Sequence, residues 1–411
     1  MAAAGCSSSG DEPTLRLWAM GREGEVVAQL LPEFEKENPG IRVQVQQIPW
    51  SAAHEKLLTA YVGDATPDIA MLGNTWVPEF VALDALEPLD ARVAASKELP
   101  RSDYFDGIWN TNTVDNVTYG IPWYVDTRVI FYRSDLLANA GCPQMPETWA
   151  TWRQCMVQLK SRMSEHQYPL LIPITEWPPI VILGLQAGSP ILRDEWRFGG
   201  FSQPDFMKAF EFYVGLFRDG LAPPFAGSEI SNLYQEFERG NIAMYISGPW
   251  QIGEFTNRLP KSMQDKWMTA ALPGVDGPGV SLAGGASLSL FRASRHKAEA
   301  WKLMEYLSRP DVQVRFHQLT GDLPARRTAW DDPVMAGNKY ATAFREQLER
   351  AVPTPKVPEW EQIATKVFEH GERAVRGRQT PQQAMAALDR DVNGILQKRR
   401  WLMDQKQAQG R

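Results

Sequence analysis

The chain has 411 residues, 44% hydrophobic and 22% charged, with 43 Lys and Arg against 49 Asp and Glu. At about 150 residues per domain this length predicts two or three domains, and so ordinary a composition excludes a disordered, collagen-like or disulfide-dense chain. A formal net charge of −6 leaves no basic surplus for a nucleic-acid partner, and 5 His with 3 Cys leave little for metal chemistry. The departure from average usage is 15 Trp.

The chain opens Met1-Ala2-Ala3-Ala4-Gly5-Cys6, then Ser7-Ser8-Ser9-Gly10-Asp11. Small residues before a cysteine and polar ones after it resemble the end of a bacterial lipoprotein signal, with Ala3 where that pattern usually has leucine. On that reading Cys6 carries lipid and residues 1–10 form a tether outside the cytoplasmic membrane. A polar tail with an incidental cysteine is the alternative.

Thr14 to Trp18 alternates like a strand, Ala19 to Gly24 reads as a loop, and Glu25 to Asn38 has helical periodicity that Asn38-Pro39-Gly40 stops. A strand from Ile41 to Val45, a helix from Ala52 to Tyr61 and a strand from Asp68 to Leu72 complete a β-α-β-α-β run. Such alternation implies a largely parallel sheet, with ligands collecting on the loops at the carboxyl ends of its strands. Those loops hold Glu23, Trp50 and Asn74-Thr75-Trp76.

Tyr119 to Arg133 reads as strand, kink and strand, a crossing between domains. A second α/β region follows, with helices from Thr148, at 204–218 and at 231–239, and a strand from Ile242 to Ile246. Within it, residues 169–188 are the most apolar stretch, but four prolines and Glu176 rule out a membrane span. A buried strand from Leu170 to Ile174 and a helix opened by Pro178 or Pro179 fit better. Cys142 and Cys155 are either a disulfide or two buried thiols. Beyond the turn-rich loop 273–279, Ser287 to Phe291 is a strand, Lys297 to Leu307 and Pro310 to Thr320 are helices, and the end is helical from Glu359, with a Thr380-Pro381 cap.

Enzyme motifs fail one by one. Gly21-Arg22-Glu23-Gly24 lacks the third glycine of a dinucleotide site and the Lys-Ser/Thr of a P-loop, His54-Glu55 lacks a second histidine, and no Gly-x-Ser-x-Gly elbow occurs. A pair of glycosidase carboxylates is left open, because it is defined by separation in space.

Four stretches, LRLWAMGREGEVVAQLLPEFEKENPGIRV, TPDIAML with its following Trp, YGIPWYVDTRVIFYRSDLLANAG with PETW, and FERGNIAMYISGPW, resemble the sugar-binding proteins of bacterial ABC importers. SLAGGASLSLFRASRHKAEAWKLMEYLSRPDVQ, running on to LPARRTAW, extends the match. The family is extracellular solute-binding protein family 1, of the maltose-binding type. The resemblance implies an α/β, two-lobed periplasmic-binding-protein fold with three interlobe crossings, near Pro122, Gly279 to Ala283 and Pro324 to Thr328. The first lobe would then be 11–122 plus 283–326 and the second 123–282 plus 327–411. It further implies a monomeric receptor without cofactor, which closes on a small saccharide such as maltose or trehalose and delivers it to membrane permease subunits at the periplasmic or extracellular face of the membrane.

Carried over residue by residue, the resemblance makes Glu23, Tyr124, Asp126, Trp250 and Arg326 sugar contacts, with Gly285 in the glycine pair that lets a ligand approach backbone. Two departures stand out: Gly73 where relatives often have Asp, and Ala286 where they have Trp. Asn74 would replace the first contact, and Trp177 or Trp50 the second. The residue types suit a pyranose, whose apolar faces want flat rings (Trp50, Trp76, Tyr124, Trp177, Trp250) and whose hydroxyls want carboxylates, amides and guanidinium groups. Structural readings remain beside these. Glu23 could cap the helix near Glu25, Asp126 could simply pair with Arg128, Gly284-Gly285 could be a turn, and Trp149, Trp152, Trp301 and Trp360, on helices, belong in cores.

Overall fold

The computed structural model describes residues 13–230 and 232–409, so the Cys6 expectation lies outside the described residues. The first strands are β1 (Thr14–Met20), β2 (Arg42–Ile48) and β3 (Ile69–Gly73), followed by β4 (Ile121–Asp126) and β5 (Val129–Arg133). Next come β6 (Tyr168–Leu171), β7 (Ile242–Ser247), β8 (Trp267–Ala270), β9 (Gly284–Leu290) and β10 (Leu323–Pro324). They form two sheets, one per lobe, in the orders β10-β4-β9-β3-β1-β2 and β8-β5-β7-β6. In the first sheet β1 runs parallel to β2 and β3, while β9 is antiparallel to β3 and β4.

The strands form where the pattern demands it. β3 lies in mid-sheet and all five of its residues are buried, as a strand covered on both faces requires. Pro122 sits inside β4, beside the register shift at Ala286/Ser287, a place where a missing N–H costs the ladder least. The chain therefore leaves the first sheet at Thr127-Arg128, between β4 and β5, rather than at Pro122. It returns at Ala283, between the short strand Ser281–Leu282 and β9. The third passage falls later than Pro324 to Thr328. Trp330 Nε1 still donates to the Pro324 carbonyl at 3.0 Å, on the first lobe, and the second lobe is reached at Tyr340, whose carbonyl accepts from Thr269 Oγ1 at 2.7 Å.

The helices bearing on the cleft are α1 (Gly21–Val26), α2 (Trp50–Val62), α3 (Pro178–Gln186), α4 (Trp250–Arg258), α5 (Pro310–Thr320) and α6 (Trp360–Val375). α1 begins four residues before the expected Glu25, because Gly21, at φ +52°, turns the chain directly from strand to helix. Trp149, Trp152, Trp301 and Trp360 are buried, as their helical positions predict. Thr380 caps the helix Pro381–Ile395 by accepting from Gln383 N at 3.2 Å. Cys142 and Cys155 form a disulfide with a Cα separation of 6.1 Å. No helix among the described residues is long and apolar enough to cross a membrane.

Candidate ligand-binding cleft

A cavity of about 520 Å³ opens between the lobes. Its first-lobe wall is built at the carboxyl ends of the parallel strands: Glu23 after β1, Trp50 after β2, and Asn74, Thr75 and Trp76 after β3. Tyr124 and Asp126 at the end of β4, Gly284 and Gly285 at the start of β9, and Asp322 before β10 complete it. The second lobe contributes Trp177 and Trp250, each at the head of a helix that follows a strand. This is where an α/β sheet puts its ligands.

The aromatic groups are held in place from behind. Trp50 and Trp76 meet edge to face with centroids 5.6 Å apart, and the His54 ring lies 5.2 Å from Trp76. His54 Nε2 in turn meets Glu79 Oε2 at 2.6 Å, a contact that raises the imidazole pKa. On the other wall Trp177 packs edge-on to the buried Trp360 at 5.5 Å, while Trp250 stays 42% exposed with the Arg128 guanidinium 4.6 Å from its ring. Gly248 makes room for that pair, since a Cβ there would lie 2.2 Å from the Trp250 ring and 2.6 Å from Arg128 Nη1.

The polar groups are arranged more tightly than the aromatic ones. Glu23 lies within α1; its carboxyl faces the Tyr124 hydroxyl, the Trp50 indole N–H and the Asp322 carboxyl. Burial pushes the pKa of Glu23 up, that of Asp322 well up, and that of the Tyr124 hydroxyl well up. Burial also raises Asp126, against the pull of Arg128, whose Nη1 reaches both carboxylate oxygens at 2.9 Å. Asp126 is thus both paired with Arg128 and cleft-lining. Asn74 accepts from Ser287 Oγ at 3.2 Å, and its Nδ2 is buried with no partner. Thr75 Oγ1 donates to Glu361 Oε1 at 2.5 Å and so joins the first lobe to α6.

Gly284 and Gly285 begin β9 rather than forming a free turn. Gly285 has φ +111°, and a Cβ on it would lie 2.3 Å from the Tyr124 carbonyl oxygen. Ala286 is fully buried in the sheet.

A family model described as bacterial extracellular solute-binding protein matches residues 20–314. The chain belongs to this family. The sugar-binding protein MalE of Xanthomonas citri is 49% identical, superposes with a TM-score of 0.93, and is covered over 99% of its length by 95% of this chain. A solute-binding protein of Thermotoga lettingae bound to α-D-tagatose is 25% identical with a TM-score of 0.76, the match covering 93% of this chain and 100% of that one. The galactooligosaccharide-binding protein of Bacillus subtilis is 24% identical over 407 residues, 95% of this chain and 90% of that protein. The two-lobed fold of the maltose-binding type is therefore the fold of this solute-binding protein, and these relatives bind sugars of differing kind.

Nine of the ten expected contacts line the cavity: Glu23, Trp50, Asn74, Trp76, Tyr124, Asp126, Trp177, Trp250 and Gly285. Arg326 does not. It is 5% exposed, and its Nε donates to Asp103 Oδ2 at 2.6 Å while Nη1 donates to the carbonyls of Glu98 at 2.7 Å and Ser308 at 3.1 Å. Asp103 holds the guanidinium inside the first lobe, so Arg326 is a structural ion pair here. Arg22, Thr75, Arg128, Asp322, Thr354 and Glu361 also line the cleft, beyond the contacts that the sequence predicts. Arg128 and Thr75 are sequence neighbours of expected residues, and that proximity is a usable signal. Asp322 is 299 residues from Glu23 and Glu361 is 286 from Thr75, and only the fold brings them in.

Proposed function

We propose that the chain is an extracytoplasmic receptor that closes on a small neutral saccharide, with an α-linked glucose disaccharide of the maltose or trehalose kind as its ligand, and hands it to an ABC importer. The observation that supports this most is the composition of the cleft walls. Rings from both lobes face one cavity, with carboxyl, amide and guanidinium groups between them, which is what a pyranose with two apolar faces and a rim of hydroxyls requires. A ligand that touches both walls stabilises the closed arrangement over the open one by the contacts it makes only there, so closure is a population shift. The relation to MalE of Xanthomonas citri supports the sugar class. A lipid anchor at Cys6, action as a monomer and docking on permease subunits are parts of the same proposal.

Binding without turnover accords with the relatives, which are named as binding proteins. Isothermal titration calorimetry of the full chain with a panel of neutral mono-, di- and trisaccharides tests the proposal. Saturable binding of an α-glucoside disaccharide without product formation is expected; silence across the panel, or turnover, would reject it.

A further inference from the structure

Asp322 is the cleft group the saccharide reading leaves without a role. It sits between the end of α5 and β10, on the cavity wall, with its carboxyl facing that of Glu23 and with the Tyr124 hydroxyl beside both. Two adjacent carboxylates in a site that sheds water cannot both keep a charge, because they repel and lose hydration together.

Resting on the saccharide reading, we propose that Asp322 is a ligand-contacting, specificity-determining residue that acts with Glu23 as one acid pair holding a single proton. The pair then offers a neutral sugar a hydrogen-bond donor and an acceptor side by side, and repels sugars that carry phosphate or carboxylate.

The surrounding charges point the same way. From β4 and the turn after it, Asp126 adds a negative charge that Arg128 already neutralises through two contacts of 2.9 Å. From α1, Arg22 is committed to Glu25 at 3.0 Å on the exposed rim. From α5, Thr320 Oγ1 accepts from the Asp322 backbone N–H at 3.0 Å, and His317 Nδ1 meets the Asp322 carbonyl at 2.9 Å. Burial lowers the His317 pKa, so that ring supplies no countercharge at neutral pH. From α2, Trp50 supplies only an N–H. None of these neighbouring cations is left to balance a second negative charge once lobe closure expels water. Burial pushes both carboxyl pKa values up, as a retained proton requires.

The test is calorimetry of the full chain with its tightest neutral saccharide from about pH 6 to pH 9.5, in buffers of different ionisation enthalpy. Wild-type affinity is expected to fall with rising pH, by up to about tenfold per unit once the shared proton is lost in the free protein, with proton uptake on binding. Asp322→Asn, which keeps a donor and an acceptor but only one ionisable group in the pair, should bind within about threefold of wild type at pH 6 and show a flat profile. Asp322→Ala should bind about tenfold more weakly than wild type at pH 6, for want of one hydrogen bond to an oxygen-rich ligand, and should also show a flat profile. A flat wild-type profile with buffer-independent heats, or wild-type affinity in Asp322→Ala at pH 6, would overturn the inference while leaving the saccharide reading intact. Silence from wild type with every neutral sugar at every pH would overturn the reading itself, and the inference with it.

Discussion

Truncating Trp250 isolates the stacking half of the proposed site. The residue stands at the start of α4, 42% exposed, with one flank against Arg128 and Gly248 and the remainder open to the cleft. An indole covers up to about 250 Å², so about 100 Å² of it is available at that exposure, and one face about half of that. Covering that face together with the matching face of a pyranose, at ~25 cal/mol per Å², contributes about 2 kcal/mol. Trp250→Ala should therefore weaken saccharide binding by about 30-fold. The fold should tolerate the change: a side chain this exposed contributes within about 0.5 kcal/mol to stability, and the Asp126 and Arg128 pair does not depend on it. Titration calorimetry gives the affinity, and thermal unfolding without sugar gives the control. Unchanged affinity would remove Trp250 from the site, and a large drop in the unfolding temperature would show that it is core after all.

Asn74→Ala should cost about tenfold in affinity, since it removes an amide from the cavity wall; wild-type affinity in the titration would contradict this. Arg326→Ala should destabilise the protein by about 3 to 5 kcal/mol by stranding the buried Asp103 carboxylate; urea unfolding measures the loss, and the folded fraction should keep its sugar affinity. Gly285→Ala should lower both stability and affinity, because its Cβ would overlap the Tyr124 carbonyl and φ is +111°; a urea midpoint equal to wild type would refute the close approach. In the ligand-free protein, burial raises the Asp322 pKa, so its contribution to stability falls as pH rises from the unfolded carboxyl value towards the raised native one. Asp322→Asn should accordingly raise the unfolding temperature at pH 8 and change it less at pH 5; equal shifts at both would contradict the assignment.

Much of this arrangement is legible in the residues themselves. The β-α-β-α-β run puts Glu23, Trp50 and Asn74 to Trp76 at the carboxyl ends of neighbouring strands, and strand polarity alone then gathers them on one wall. Trp152, on a helical face at core spacing, is buried, while Trp50 and Trp250, first in their helices, are exposed at the cleft; Trp360 also begins a helix and is nonetheless buried, so position along an element does not by itself divide the rings. The features that sequence misses depend on contacts without local signature. Arg326 follows a strand as a ligand contact would, but its fate is set by Asp103, more than 200 residues earlier. Asp322 reads as an ordinary polar residue after a helix that ends on Gly321, and becomes notable only because β10 pairs with β4 and carries it to Glu23. Pro122 looks like a hinge because proline interrupts strands; the register shift in β9 accommodates it inside one.

Small-angle X-ray scattering on the full chain, with and without the tightest-binding neutral saccharide, tests the central claim most directly. If the lobes close on a sugar held between the Trp50 and Trp76 wall and the Trp177 and Trp250 wall, the radius of gyration falls saturably with sugar, and falls far less at the same concentration in Trp250→Ala. Calorimetric binding with an unchanged scattering profile would contradict closure across the cleft.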